Sequence, residues 1–154
     1  MRRLLALAIT LAALGPAHAA MSEAEAQAIL FKSMDANGDA AVTPREFETF
    51  RRQAMTAMDA DGDSRVSIQE WGSFDPGFLG IAEERGAQMQ LMDAKDDVFQ
   101  RYNVSGDAYL SNEEMMAGLF RDFLEADGDD DGRLTETESA SLRLLKSFAD
   151  ALMQ

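Results

Sequence analysis

Four segments of twelve residues carry side chains that could hold a metal ion. Each begins with Asp or Asn, has Asp at its fifth position and ends with Glu; they span residues 35–46, 59–70, 103–114 and 127–138, here called the first to fourth loops. Together they contain 16 of the chain's 28 acidic residues, so their carboxylates repel one another unless a cation neutralises them. Oxygen ligands suit a hard cation. The spacing therefore predicts oxygen-ligated cation sites rather than a solvated acidic surface.

The repeated pattern resembles the calcium-binding loop of the EF-hand family, D-x-[DN]-x-[DN]-G-x5-E. In that family positions 1, 3 and 5 contribute side-chain oxygens, position 7 a backbone carbonyl and position 12 a bidentate glutamate. Carried onto this chain, the resemblance implies four sets of Ca²⁺ ligands: Asp35, Asn37, Asp39, Ala41 and Glu46; Asp59, Asp61, Asp63, Arg65 and Glu70; Asn103, Ser105, Asp107, Tyr109 and Glu114; and Asp127, Asp129, Asp131, Arg133 and Glu138.

Three of the loops depart from the family at position 6, where glycine permits a left-handed turn. Ala40, Ser64 and Ala108 stand there, and Gly132 alone matches. Forcing a side chain into the left-handed region costs about 1–2 kcal/mol, so these three loops are expected to bind more weakly. The second and fourth loops have four acidic ligands, the first has three and the third has two. The predicted order of affinity is fourth, second, first, third.

Residues 1–19 are predicted to be a signal peptide. Two arginines precede the apolar run 4–14, and an Ala-x-Ala site ends at Ala19. This run of 11 residues is too short for a bilayer span, which takes roughly 18 or more. We therefore expect cleavage after Ala19, a mature EF-hand domain of residues 20–154 without a membrane span, and location in the periplasm or outside the cell.

The predicted mature chain contains neither cysteine nor histidine, because the single histidine, His18, lies in the signal peptide. It therefore has no usual ligand for zinc, copper, haem or iron–sulfur groups, and no base for a Ser-His-Asp or Cys-His site. Its net charge of −16, from 12 basic and 28 acidic residues, disfavours nucleic acid and anionic membranes as partners. We expect neither an enzyme nor a nucleic-acid-binding protein.

Helices are needed to position these loops. In each loop, Ser or Thr at position 9 precedes the position-12 glutamate by three residues, which is the capping box that begins a helix. Apolar residues at helical spacing on either side of the loops predict faces that bury against partner helices. The expected fold is all-α, with four EF-hand helix-loop-helix units and short β-bridges between loops. The bridging residues are expected at position 8: Val42, Val66, Leu110 and Leu134.

The spacing of the loops predicts which of them pair. Only twelve residues separate the first loop from the second, and the third from the fourth. One helix must then serve both neighbouring loops and hold them at its opposite ends. The longer segment 71–102 contains the turn Asp75-Pro76-Gly77, which is expected to separate a short helix from one long helix. We predict that the second loop pairs with the third and the first with the fourth.

The purpose of calcium binding stays open at this point. A buffer or a calcium-stabilised adhesion or structural module would open little, whereas a sensor would expose an apolar groove to a protein partner. Met89, Met92, Met115 and Met116 are candidate groove residues, although methionine at helical spacing more often packs in the core.

The ion is a second open question. Loop steps of 24 residues are similar to those of the lanmodulin family, which would imply a lanthanide as the ligand. That family has proline at position 2 and aspartate at position 9, whereas this chain has Ser or Thr at position 9. At position 2 it has Ala36, Ala60, Val104 and Gly128. Because a trivalent ion favours the missing carboxylates, the sequence favours calcium.

Overall fold

The computed structural model describes residues 22–153. Its helices are α1 (Glu23–Met34), α2 (Pro44–Met58), α3 (Ile68–Ser73), α4 (Leu79–Arg85), α5 (Gln88–Tyr102), α6 (Asn112–Ala126), α7 (Glu136–Ser139) and α8 (Arg143–Ala151). Two short strands, β1 (Val66–Ser67) and β2 (Tyr109–Leu110), complete the all-α fold that the sequence predicts. Within the described range, no helix is long and apolar enough to cross a membrane. The predicted signal peptide, residues 1–19, lies outside the described residues.

Capping boxes begin each helix that follows a loop, as predicted. At the start of α2, the Thr43 hydroxyl accepts the N–H of Glu46, while Glu46 Oε2 accepts the N–H of Thr43 at 3.0 Å. The same exchange begins α3, α6 and α7, and it also begins α1, where Ser22 pairs with Glu25. Each exchange satisfies two backbone donors that a helix start leaves unpaired, so it fixes where the loop ends.

The predicted loop pairing is confirmed. Val66 pairs with Leu110 in the antiparallel ladder between β1 and β2, which joins the second loop to the third. Val42 and Leu134 form an isolated antiparallel bridge between the first and fourth loops, with N–H···O distances of 2.8 and 2.9 Å. Helices α2 and α6 each connect two loops that belong to different pairs, as their length of 15 residues requires.

The predicted apolar faces of the helices meet in one core. Phe47 of α2 packs against Phe123 of α6 with tilted rings whose centroids are 5.3 Å apart, and Trp71 of α3 and Tyr102 of α5 pack edge to face at 6.4 Å. The last helix, α8, packs mainly on α5, and its Phe148 also contacts Phe78 at the start of α4. These contacts hold the ends of the four loops in fixed relative positions.

Two helical segments, one of which the sequence predicts as a single long helix, are interrupted. The segment after the Asp75-Pro76-Gly77 turn forms α4 and α5 instead of one long helix, because Gly86 adopts a left-handed conformation with φ of 67° and ends α4. The helix after the fourth loop likewise divides into α7 and α8 around Leu142, whose ψ is 127°. Leu142 nevertheless lies in the core.

The four methionines considered for a groove divide between core and surface. Met115 is 1% exposed, so the core prediction is right for it. Met89, Met92 and Met116 are 78%, 46% and 49% exposed, so the core prediction is wrong for these three.

Candidate metal centres

The residue at position 1 organises the first, second and fourth loops through backbone hydrogen bonds. In the second loop, Asp59 Oδ1 accepts the N–H of Gly62 at 2.7 Å and that of Asp63 at 3.1 Å, while Oδ2 accepts the N–H of Ser64 at 3.0 Å. The first loop repeats all three bonds on Asp35, and the fourth loop repeats the last two on Asp127. In each of these loops a single carboxylate therefore accepts several backbone N–H groups, so that the backbone curves around it.

This curvature places the residue at position 6 in the left-handed region. As expected, this holds in two of the three loops that have no glycine at position 6. The φ angles are 66° for Ala40 and 68° for Ser64, and Gly132 has 80° in the fourth loop. Ala108 of the third loop does not have a positive φ, so the expected strain is absent there. At position 6 the predicted penalty thus applies to the first and second loops, whereas in the fourth loop the non-glycine residue with a positive φ is Asp130 at position 4, with 58°.

The glutamate at position 12 is held by donors from both ends of its loop. Glu70 Oε2 accepts the Ser67 N–H and hydroxyl, each at 2.8 Å, and Oε1 accepts the N–H of Ala60 at 2.8 Å. These hydrogen bonds, led by the bond from the Ser67 backbone, lower the pKa of Glu70 to about 2. Thr43 and Thr135 lower the pKa of Glu46 and Glu138 in the same way. The glutamates are therefore ionised over the whole physiological pH range.

Acidic ligands converge in two loops. In the second loop, carboxylate oxygens of Asp59, Asp61 and Glu70 all lie within 4.8 Å of one another. In the fourth loop the same is true of Asp127, Asp129 and Asp131. Three anionic oxygens at this separation can share one hard cation, and the positions 1, 3, 5 and 12 that supply them are the side-chain ligands predicted from sequence.

The first loop has the same backbone arrangement with one fewer acid. Asn37 donates its side-chain amide to Asp39 Oδ2 at 3.1 Å, and its own N–H binds Glu46 Oε1 at 3.2 Å. Asn37 Oδ1 accepts the N–H of Asp39 at 2.8 Å. An entering cation would have to displace the Asn37 side-chain amide from Asp39. The carboxylate oxygens of the first loop are therefore less available to a cation than those of the fourth loop.

The third loop differs because Asn103 stands at position 1. Its Nδ2 donates to the carbonyl of Asp107 at 2.5 Å, whereas the other three loops direct the position-6 N–H toward that side of the residue. An amide nitrogen cannot accept an N–H, so the peptide between Asp107 and Ala108 presents its carbonyl instead. Ser105 donates its hydroxyl to Asn103 Oδ1 at 3.0 Å, which occupies a second predicted ligand. Burial raises the pKa of Glu114, but hydrogen bonds from Ser111 and Ser105 lower it to about 2.

Position 7 contributes a backbone carbonyl in the predicted ligand sets and lies directly before the bridging residue. In all four loops its N–H donates to Oδ1 of the aspartate at position 5, at distances of 2.8–3.1 Å. The residues concerned are Ala41, Arg65, Tyr109 and Arg133. The β-bridge next to them fixes this part of each loop against its partner loop.

Sequence reasoning missed a lysine that connects the second helix-loop-helix unit to the third through hydrogen bonds. Lys95 of α5 donates its ammonium to the carbonyls of Gly72 and Phe74 at 2.7 and 2.5 Å, and Trp71 Nε1 donates to the Lys95 carbonyl at 2.8 Å. Burial lowers the pKa of Lys95, while Asp75 opposes that shift. A lysine on the apolar face of α5, four residues after Leu91, was the signal for this contact.

A buried tyrosine–aspartate pair was also missed. The Tyr102 hydroxyl donates to Asp122 Oδ2 in the core between α5 and α6. Burial raises the pKa of both groups. The pair fits because Gly118 faces the Tyr102 ring, and a Cβ at that position would clash with it. The contact fixes the end of α5, immediately before the third loop.

Comparison with known proteins agrees with this geometry. Residues 27–50 match the family model described as EF hand, and they cover most of α1, the first loop and the beginning of α2. No curated protein and no solved structure matches the chain. The second and fourth loops repeat the backbone arrangement of the matched loop, with a capping box at the same position in each. The family match therefore identifies an EF hand in residues 27–50 and supports membership of the EF-hand calcium-binding superfamily, whose loops hold a divalent metal ion.

Proposed function

We propose that this protein is exported and binds Ca²⁺, most tightly in the fourth and second loops. The observation that carries the proposal is the convergence of three carboxylates within 4.8 Å in each of these loops. Their mutual repulsion is relieved when a divalent cation takes their oxygens as ligands. The first loop binds more weakly, and the third loop contributes mainly to structure.

The loop chemistry favours calcium over magnesium. Ca²⁺ accepts six to eight oxygens in flexible geometry, whereas Mg²⁺ demands a near-ideal octahedron and gives up its water reluctantly. A twelve-residue loop that supplies carboxylates, a backbone carbonyl and a bidentate glutamate suits the larger ion. Position 9 supplies Ser or Thr whose hydroxyl is engaged in the capping box, so it offers no additional carboxylate for a trivalent ion.

Moderate affinity would suit a protein that works outside the cytoplasm. Ala40 and Ser64 are strained in the left-handed region, and a cation must compete with backbone donors for the position-12 glutamates. Extracellular EF-hand modules bind calcium at about 10⁻⁴–10⁻³ M, where it is plentiful. The predicted signal peptide supports the same location. The protein would then act as a calcium buffer or as a module that calcium stabilises.

The proposal is tested by calorimetric titration of the mature chain with calcium. Glu138→Gln removes the charge of a predicted ligand and should abolish one binding event, whereas Glu136→Gln removes the same charge from position 10 of the same loop and should leave it. Equal effects of the two substitutions, or no uptake at millimolar calcium by the unaltered chain, would refute the assignment. Terbium titrated against a calcium background tests the lanthanide alternative.

A sensor is the second candidate, and a surface groove favours it. The groove lies between α2 and α6, has a volume of about 400 Å³ and is lined by Pro44, Phe47, Arg51, Met116, Leu119 and Phe120. The side chain of Phe120 is 51% exposed, and that of Leu124, one turn further along α6, is 57% exposed. Both helices connect loops, so calcium binding at either end could alter its width. An apolar helix of a protein partner fits such a surface.

The sensor candidate is tested with a fluorescent apolar dye, with and without calcium. A sensor should bind more dye when calcium is added, and Phe120→Ser should reduce the gain. Met153→Ser is the matched control, because Met153 is also an exposed apolar side chain, at 66% against 51% for Phe120, but does not line the groove. A signal that calcium leaves unchanged would favour the buffer or structural module.

A further inference from the structure

Each pair of loops contains one arginine at position 7. Arg65 belongs to the pair formed by the second and third loops, and Arg133 to the pair formed by the first and fourth. Their backbone carbonyls are predicted ligands, but their guanidinium groups lie close to carboxylates that are predicted ligands as well. The two arginines start from equivalent positions and reach different loops.

Arg65 binds the position-5 aspartate of its own loop. Its Nη2 lies 3.0 Å from Asp63 Oδ2, and its N–H donates to Asp63 Oδ1 at 2.8 Å. The guanidinium also lies over the ring of Tyr109 in the third loop, with Cζ 4.3 Å from the ring centroid. One residue therefore engages both oxygens of Asp63. In agreement, Asp63 does not belong to the group of converging carboxylates in the second loop.

Arg133 crosses to the partner loop. Its Nη1 lies 3.6 Å from Oδ2 of Asp39, the position-5 aspartate of the first loop. Its N–H still donates to Oδ1 of Asp131 in its own loop at 2.8 Å. Asp131 does join the converging carboxylates of the fourth loop. The position-5 carboxylate thus converges with the others where the guanidinium is directed elsewhere, and does not where a guanidinium binds it.

We propose that Arg65 and Arg133 compete with the metal ion for the position-5 carboxylates Asp63 and Asp39, and so set the order of filling, with the fourth loop first. This inference rests on the proposed calcium binding. A cation that enters the second loop must displace the Arg65 guanidinium from Asp63, and one that enters the first loop must displace Arg133. The fourth loop needs no such exchange, because Arg133 is directed away from it.

The inference is tested by measuring the calcium affinity of one loop at a time in calorimetric titrations. The Glu70→Gln/Glu138→Gln background leaves the first loop as the strongest site, and Arg133→Gln in that background should raise its calcium affinity by about two- to fivefold, the range of exposed ion pairs. Arg133→Lys keeps the charge and should stay close to the parent. High salt should reduce the gain, because the competing ion pair is exposed.

Arg52→Gln is the matched control. Arg52 is exposed and pairs with Glu48 at 3.6 Å, so its replacement removes the same charge from a pair outside the loops. An affinity that Arg133→Gln leaves unchanged or lowers, or that Arg52→Gln raises as much, would overturn the inference. Arg65→Gln provides an independent reading of the second loop in the Glu138→Gln background, with the same expected gain. If the unaltered chain takes up no calcium, the proposed function itself fails.

Discussion

The second and third loops face each other across β1 and β2, yet they differ in how their backbones are wound. In the second loop, Asp59 accepts three backbone N–H groups and three carboxylates converge. In the third loop, Asn103 accepts the N–H of Gly106 but donates to the carbonyl of Asp107. The same pairing, capping box and position-12 glutamate therefore surround two different loop conformations.

The difference shows what a single atom at position 1 decides. Carboxylate and amide have nearly the same shape, but the amide replaces an acceptor by a donor. That exchange reverses one peptide group and removes one negative charge from the loop. The backbone of Ala108 then avoids the left-handed region that Ser64 occupies. The third loop is thus less strained than the second and also less suited to a cation.

The largest difference between the two loops is expected when the glutamate at position 12 is replaced. Glu70→Gln should lower calcium affinity in the second loop by at least about tenfold, because ligand charge sets the affinity of these loops. Glu114→Gln should change the calorimetric titration little, since we propose that the third loop contributes little binding. Comparable losses from both substitutions would mean that the two loops are equivalent sites.

The next largest effect is expected from a substitution that gives the third loop the position-1 aspartate of the second loop. Asn103→Asp supplies the second acceptor oxygen and a negative charge, so the Ala108 N–H should turn inward and the loop should gain about tenfold in calcium affinity. An added binding event in calorimetry and a positive φ for Ala108 in a crystal structure would show it. Ser105→Asp alone adds charge without that acceptor and serves as the control. A structure of Asn103→Asp in which Ala108 keeps its present φ would contradict the account.

Glycine at position 6 should act in opposite directions in the two loops. Ser64→Gly removes left-handed strain and should raise the free energy of unfolding by about 1 kcal/mol. Ala108→Gly relieves nothing and should lower it by about 0.4–1 kcal/mol, because glycine adds freedom to the unfolded chain. Chemical denaturation of calcium-depleted protein measures both. Changes of the same sign would argue that the two backbones are alike.

The smallest difference is expected in the response to acid. Glu70 and Glu114 both have a folded pKa of about 2, below the usual 4.5. A lowered folded pKa contributes stability above about pH 4.5, and that contribution is lost as the pH falls toward 2. In thermal unfolding of calcium-depleted protein between pH 5 and 2.5, the stability of Glu70→Gln and that of Glu114→Gln should therefore depend less on pH than the stability of the unaltered chain. The reduction should be similar in the two variants. A loss confined to one variant would separate the loops in a way that their hydrogen bonds do not explain.

Much of the fold followed from local rules. The capping boxes fixed where helices begin, and the twelve residues between neighbouring loops required shared helices, from which the pairing of Val66 with Leu110 followed. The interruption at Gly86 was missed, although a glycine after a run of helix-forming residues is a typical helix end. The break at Leu142, which precedes the helix α8 that packs against α5, has no such marker in the sequence.

The amino-acid order by itself determined the positions of the loops, their oxygen chemistry and their approximate ranking by charge. These features depend on residues at most eleven positions apart, so the spacing along the chain displays them. Only the tertiary structure decided which carboxylates are available to a cation. Asp39 meets Arg133 because the bridge between Val42 and Leu134 brings together segments more than ninety residues apart. Such a contact depends on how the helices pack, and no local pattern encodes it.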